Sequence, residues 1–252
     1  MLLIADWPWY MMLGMTAGLL AGLFGIGGGA IMVPVLTILL EKAGVAATEI
    51  VHIALGTSMA AIVPTALASV WSHHRRGGVR WEIFLRMLPG VLMGTIIGVV
   101  LAVRMASIFL AIIFMLYVLG VSIHLWRDHQ PRAMRELPGV WMLSGVGAFI
   151  GGFSSWVAIG GGTLTVPFLL WCRVPLRQAI GTSSAVGLPL ALCGTIGYGL
   201  ANPGQPSLDG QVGYVYGVAV MWVTLASVLM APIGAWLAHR LPAMRLKRMF
   251  AG

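Results

Sequence analysis

Residues 25–36 read GIGGGAIMVPVL, and residues 158–169 read AIGGGTLTVPFL. Both segments carry three consecutive glycines, Gly27-Gly28-Gly29 and Gly160-Gly161-Gly162, followed by Val33-Pro34 and Val166-Pro167. Each lies inside an apolar region, 9–40 and 139–172, too long for one membrane crossing of roughly 20 residues. A glycine inside a helix costs about 1 kcal/mol relative to alanine, and close packing does not require three in a row. The flanking pieces are 14–18 residues long. Each region therefore reads as two short or broken helices joined at a glycine hinge.

The likeness continues downstream. ALGTSMAAIVPTAL (54–67) matches AIGTSSAVGLPLAL (179–192), and VLMGTIIGVVLAVR (91–104) parallels VLMAPIGAWLAHR (228–240) with a one-residue gap. Three matches in the same order make an internal repeat. The medium follows from composition: 59% hydrophobic and 9% charged residues, against roughly 25% charged in a soluble domain. A mean hydropathy of +0.95 applies to the whole chain, so lipid is the solvent. Full-length spans are expected at 50–72, 83–103, 106–126, 179–200 and 214–238. The N-terminus lacks the basic region of a cleaved signal peptide, with Asp6 before the apolar stretch, so the first span is expected to stay.

The net charge of +8 does not point to nucleic acid, because the cations sit in short clusters between apolar spans. Such clusters report orientation. Arg75, Arg76, Arg80, Arg86, Arg127, Arg132, Arg135, Arg173, Arg177, Arg240, Arg245, Lys247 and Arg248 fall on one side, and only Lys42 and Arg104 on the other. That split places the first set in the cytoplasm and the N-terminus outside. It holds only if both glycine-split regions return to the side they left, as hairpins do. Each unit is then a hairpin plus two spans, and the lone span at 106–126 inverts the second unit.

The expected fold is an all-α polytopic membrane protein of two inverted-topology repeats. The first repeat covers 1–104, a linking span and cytoplasmic loop 105–136, the second repeat 137–240, and a basic cytoplasmic tail 241–252. Inverted repeats recur in transporters, with the solute near the midplane beside the glycine-interrupted segments.

The spans carry essentially no charged side chains, so an anion held between them would be bound without Arg or Lys. Helix N-termini supply free N–H groups and a favourable dipole. Irregular backbone inside a membrane is tolerated where it is buried or lines a cavity. The candidate binding residues are Gly27, Gly28 and Gly29 in the first break, and Gly160, Gly161, Gly162 and Thr163 in the second. Hydroxyls at Thr57, Ser58, Thr182, Ser183 and Ser184 fall at matched positions, and Ser154, Ser155 and Trp156 precede the second break. The last three have no polar counterpart in the first half, so the site is expected to be lopsided. Helix back-bonding is a competing role for Thr57, Ser58, Thr182 and Ser183.

Small-residue stripes such as Gly14-Gly18-Gly22, Gly94-Gly98 and Gly147-Gly151 read as packing faces. Cys172 and Cys193 read as packing residues, with no disulfide framework. His52 and His124 lie near span ends, and His73 and His74 in a basic loop. No spacing suggests a metal site, and no cofactor is expected. The expected partners are a small anionic substrate and the lipid bilayer; a homodimer is left open.

The duplicated IGGGxxxVPxL, the opening GLLAGLFGIGGGAIMVPVL and the GTS-containing spans resemble the TauE/SafE family of sulfite exporters, also called the 4-toluene sulfonate uptake permease family. The resemblance covers nearly the whole chain. It implies transport of small sulfur-containing or organic anions, such as sulfite, sulfonates or sulfoacetate, across a prokaryotic plasma membrane.

A secondary carrier is the leading reading, since no Walker-type nucleotide site is present. Export is favoured over uptake: the membrane potential already drives an anion outward, at about 2.3 kcal/mol per charge per 100 mV. An anion channel and a proton-coupled uptake permease of the same fold are the alternatives. An intramembrane serine protease is disfavoured, because the serines sit near the hinges and His52 and His124 near span ends.

Overall fold

The computed structural model describes residues 7–25, 28–126, 137–201 and 206–240. Among them the chain forms nine helices and one short hairpin: α1 (Trp7–Phe24), α2 (Gly29–Lys42), α3 (Ile50–His74), α4 (Trp81–Arg104), α5 (Ser107–Trp126), α6 (Val140–Val157), α7 (Gly162–Trp171), α8 (Leu176–Leu200), β1 (Gln211–Val212), β2 (Val215–Tyr216) and α9 (Gly217–Arg240). Helices α3, α4, α6, α8 and α9 are long and apolar enough to cross a membrane. The chain is an all-α, multi-pass membrane protein.

Both glycine-split regions are broken where the sequence placed the hinges. Helix α1 ends at Phe24 and α2 begins at Gly29; α6 ends at Val157 and α7 begins at Gly162. The span expected from 214 starts instead at Gly217, because residues 215–216 pair with 211–212 in the hairpin. Gly213, with φ of 56°, sits where a Cβ would fall 2.3 Å from the Gly199 carbonyl oxygen. This turn takes up the chain that periodicity assigned to helix.

Two glycine-faced contacts tie the helices together. Gly14, Gly18 and Gly22 of α1 lie on the backbone of Val223, Ser227 and Ala231, so α1 and α9 run in parallel. Gly90, Gly94 and Gly98 of α4 lie on Ser144, Ala148 and Gly152, so α4 and α6 run in parallel as well. Without side chains between them the backbones interlock closely, the usual device for helix association in lipid.

Helices α3 and α8 form the antiparallel centre, with Ser69 bonded to Ser184 at 3.1 Å and Met59 packed on Gly194. Helix α9 runs beside α3 through Thr65–Ser227 and Ser72–Pro232. Helix α8 runs beside α4 through Thr182–Arg80 and Gly197–Val99. Thus α1, α3 and α9 start at one face, and α4, α6 and α8 at the other.

The arginine-bearing connections 75–80 and 172–175 and the end of α9 meet at one face, where His73 touches His239 and the Arg80 N–H reaches Thr182. At the opposite face Ser207 donates to Glu49 at 2.6 Å, and His52 is held by Ser107 at 3.0 Å and the Ala102 carbonyl at 3.1 Å. Tyr214 stacks on His52 there; burial, then the Glu49 carboxylate, push its phenol above the ordinary value. The flanks of α4, α5 and α9 present Met93, Ile97, Phe109, Met115, Leu119 and Leu229 outward, an apolar surface far larger than soluble proteins expose and suited to acyl chains.

Candidate functional site

The two helix breaks adopt the same backbone. Gly28 precedes α2 with φ 78° and ψ −7°, and Gly161 precedes α7 with φ 73° and ψ −12°. This left-handed conformation costs an L-residue roughly 1–2 kcal/mol, which is why glycine stands at both positions. One turn earlier Gly25 has φ 70° and Ala158, its counterpart, φ 48°. Ala158 is thus strained in a way that Gly25 is not.

The breaks touch each other. A Cβ on Gly29 would fall 1.7 Å from the Ala158 carbonyl oxygen, and one on Gly187 would fall 2.4 Å from the Gly160 carbonyl oxygen. Gly25 lies against the Ser183 and Ser184 hydroxyls. A cavity of about 10 Å³, the room of a single water, lies between the breaks and is lined by Gly25, Gly160, Gly187, Ile62, Ser69 and Ser184. The first backbone N–H groups of a helix have no partner within it, and those of α2 and α7 begin at this junction.

Three further hydroxyls are fully buried yet make no hydrogen bond among the described residues: Ser58, Ser154 and Thr165. The Thr165 oxygen lies 3.5 Å from the position of a Gly161 Cβ, beside the start of α7. An unsatisfied buried hydroxyl costs about 1–3 kcal/mol, so each of these has a donor free for a water or a solute. Among the described residues no charged side chain lines the cavity, and Arg76 and Arg177 face His239 at the basic face. The junction is polar without being charged.

The GTS triplets divide their work. Tyr216 N–H donates to the Thr57 hydroxyl at 3.0 Å, and Arg80 N–H donates to the Thr182 hydroxyl at 2.9 Å. Gly56 makes room for the Tyr214 carbonyl, and Gly181 for the Gly78 carbonyl. Each half's glycine and threonine clasp a loop of the other half, the one that enters α9 for Gly56 and Thr57 and the one that enters α4 for Gly181 and Thr182. The serine that follows faces inward: Ser183 donates to the Ile180 carbonyl at 2.8 Å and approaches the Gly25 carbonyl at 3.4 Å.

The structure brings Gly28, Gly29, Gly160, Gly161, Gly162, Ser183 and Ser184 to the junction of the breaks, with Ser58 and Ser154 buried and unpartnered. It does not bring Thr57 and Thr182, which hold loops. Ser155 bonds back to the Gly152 carbonyl at 2.7 Å, and Trp156 donates to the Gly98 carbonyl at 2.9 Å, fastening α6 to α4. The Thr163 hydroxyl meets the Tyr117 phenol, tying α7 to α5. Gly27 lies outside the described residues. His52, with both ring nitrogens engaged, clasps the ends of α3, α4 and α5 at the face opposite the arginines.

Sequence reasoning missed Ser69. Its signal was present: Ser58, Thr65, Ser69 and Ser72 recur at intervals of seven, four and three residues, one face of a helix. The chemical mirror of the cavity is also filled. At the repeat positions answering to Ser184 and Ser69 stand Met59 and Gly194, whose Cβ position is 3.0 Å from the Met59 sulfur. One position therefore carries two hydroxyls beside a small cavity, and its counterpart is filled by a thioether.

Broken helices that meet inside a multi-pass chain are a recurring feature of membrane transporters. This chain belongs to the TauE/SafE sulfite exporter family, whose model matches residues 10–252. The chain is 34% identical over 247 residues to a probable membrane transporter protein of Haemophilus influenzae, covering 96% of this chain and 92% of that one. It is 25% identical over 231 residues to one of Methanocaldococcus jannaschii, covering 90% and 82%, respectively. A Bacillus subtilis protein of the same description is 26% identical over 241 residues, covering 91% and 89%. No solved structure matches the chain.

Proposed function

We propose that the protein is a secondary carrier of small anions, sulfite or organosulfonates, that moves them out of the cell by alternating access. The anion is held where the breaks meet, by the N–H groups that open α2 and α7 and by the hydroxyls of Ser58 and Ser154, with Ser183 and Ser184 turning from the Ile180 carbonyl to donate to it. A bond from a neutral donor to a charged acceptor contributes about 1.5–3 kcal/mol, and a helix N-terminus up to about 2. A few of each offset the several kcal/mol that dehydrating an anion costs, with no fixed cation to trap it. The supporting observation is the shared cavity: Gly25 from one break and Gly160 from the other line the same small space, which widens from the room of one water when the breaks part to admit the anion.

The two halves act as inverted repeats. This reading is supported by helix direction, since α1, α3 and α4 each oppose their counterparts α6, α8 and α9. The interchange of glycine contacts, α1 on α9 and α6 on α4, supports it too. With the arginine-rich face in the cytoplasm of a plasma membrane, the N-terminus lies outside.

A thermal-shift panel of sulfite, sulfate, thiosulfate, sulfoacetate and taurine, followed by flux into liposomes, tests the reading. Saturable flux of sulfite or a sulfonate, stimulated by the same anion on the far side, is expected. Ohmic current without counter-flow stimulation would reject the carrier.

A further inference from the structure

At the end of α1, just before the Gly25 break, His73 Nε2 lies 2.9 Å from the Gly22 carbonyl oxygen. At the matched place in the other half the Tyr198 hydroxyl donates to the Ser155 carbonyl at 2.9 Å. Each donor satisfies a carbonyl that the end of a helix leaves without a partner. One break is therefore braced by a phenol that keeps its proton, and the other by an imidazole, the side chain whose proton exchanges near neutral pH. The imidazole is also linked: His73 Nδ1 lies 3.1 Å from His239 Nε2, their rings 5.2 Å apart.

The geometry fixes the tautomers. A carbonyl only accepts, so His73 Nε2 carries its proton, and Nδ1 accepts the Nε2–H of His239. His73 is fully buried and His239 half-buried, so a proton from the basic face would arrive through His239. It adds to His239 Nδ1 while the Nε2 proton passes to His73 Nδ1. The net change is one N–H bond formed and one positive charge on His73, with the bond to Gly22 intact. The proton leaves by the reverse steps.

Charge around the pair makes this conditional. Arg76, in the turn after α3, faces both rings, and Arg177 of α8 faces His239; α1 contributes the Gly22 carbonyl and no charged group among the described residues. Burial opposes an imidazolium at His73 most, and the Arg76 guanidinium adds to it, while the cavity is empty. His73 stands one helical turn beyond Ser69, which lines the cavity. An anion there, at about 8 Å and an effective dielectric near 20, raises proton affinity on the order of thirtyfold.

We infer that His73, loaded through His239, is the binding site for a proton that travels with the anion; this rests on the reading of the Gly25–Gly160 cavity as the anion site. Binding is reciprocal, so a proton on His73 tightens the anion by the same factor. A sulfite dianion with its proton still carries one negative charge, so the potential still drives the loaded carrier outward.

The test counts protons moved per sulfite in liposomes holding a pH dye, with protein-free liposomes subtracted to remove permeation of the neutral acid. Wild type is compared with His73→Gln and with His73→Tyr, which copies the brace that Tyr198 provides. Melting curves check that each variant is folded. The expected result is a loss of about one proton per sulfite in both variants, and in His239→Gln a slower proton signal. An unchanged ratio in the folded variants overturns the role of His73. Sulfite flux in wild type with no excess protons overturns the coupling and leaves the anion site standing, whereas no flux at all overturns both.

Discussion

Replacing Gly29 by alanine tests the contact between the two breaks. The new methyl carbon would sit 1.7 Å from the Ala158 oxygen. An ordinary C···O contact is about 3.3 Å, so the breaks must part by roughly 1.6 Å. Strain of this kind costs typically 1–3 kcal/mol, which a stable membrane protein survives with a lowered melting temperature. An N–H that held the anion at about 2.9 Å would then stand about 4.5 Å away, beyond hydrogen-bond range. Losing one such bond, worth about 1.5–3 kcal/mol, weakens the anion roughly ten- to a hundredfold. Sulfite flux into liposomes at sub-saturating concentration should fall by that factor, alongside a melting curve proving a folded protein. Gly120→Ala is the control, because nothing lies within 4 Å of its Cβ position. Wild-type flux in Gly29→Ala with an unchanged melting temperature would refute the reasoning.

Other substitutions separate the parts. At Gly161 the nearest atom to a Cβ is 3.4 Å away, so Gly161→Ala should cost only the left-handed strain of roughly 1–2 kcal/mol; Gly161→Leu should abolish flux in folded protein, and normal transport would remove Gly161 from the site. Thr57→Val and Thr182→Val each strand a backbone N–H at a helix start and should destabilise by about 1–3 kcal/mol. Their flux per folded molecule should stay near wild type, and a selective loss of anion affinity would return them to the binding set. Met59→Ala empties the plugged chamber and should cost roughly 2–5 kcal/mol; an unaltered melting curve would contradict that packing. Ala158→Gly relieves the positive φ and should raise the melting temperature slightly, whereas a clear drop would show that the methyl packs better than it strains.

The breaks, the long spans and the packing stripes were legible because each rests on a local rule. Triple glycine disfavours helix, a run of apolar residues has one stable environment, and small residues at intervals of four allow close approach. The GTS motif was only half legible. Its recurrence flagged Thr57 and Thr182, but not that each hydroxyl would face an incoming loop N–H, since those partners lie 159 and 102 residues away in sequence. Ser155, Trp156 and Thr163 were read as ligands because polar groups near a hinge suggest one. Ser155 bonds back within its own helix, a local habit of serine, whereas the partners of Trp156 and Thr163, a carbonyl of α4 and a phenol of α5, come from packing that no local pattern encodes. His73 was placed in a loop because arginines follow it closely; α3 runs two residues beyond the expected end at 72, to His74, and carries His73 inside.

Sulfite has a heavier analogue, selenite, whose selenium can be located by anomalous scattering in crystals of the protein. One strong peak is expected between Gly25 and Gly160, within hydrogen-bond reach of the α7 N-terminus and the Ser184 hydroxyl. A peak beside Arg76 and Arg177 with none at the junction, in crystals of protein that transports sulfite, would contradict that placement.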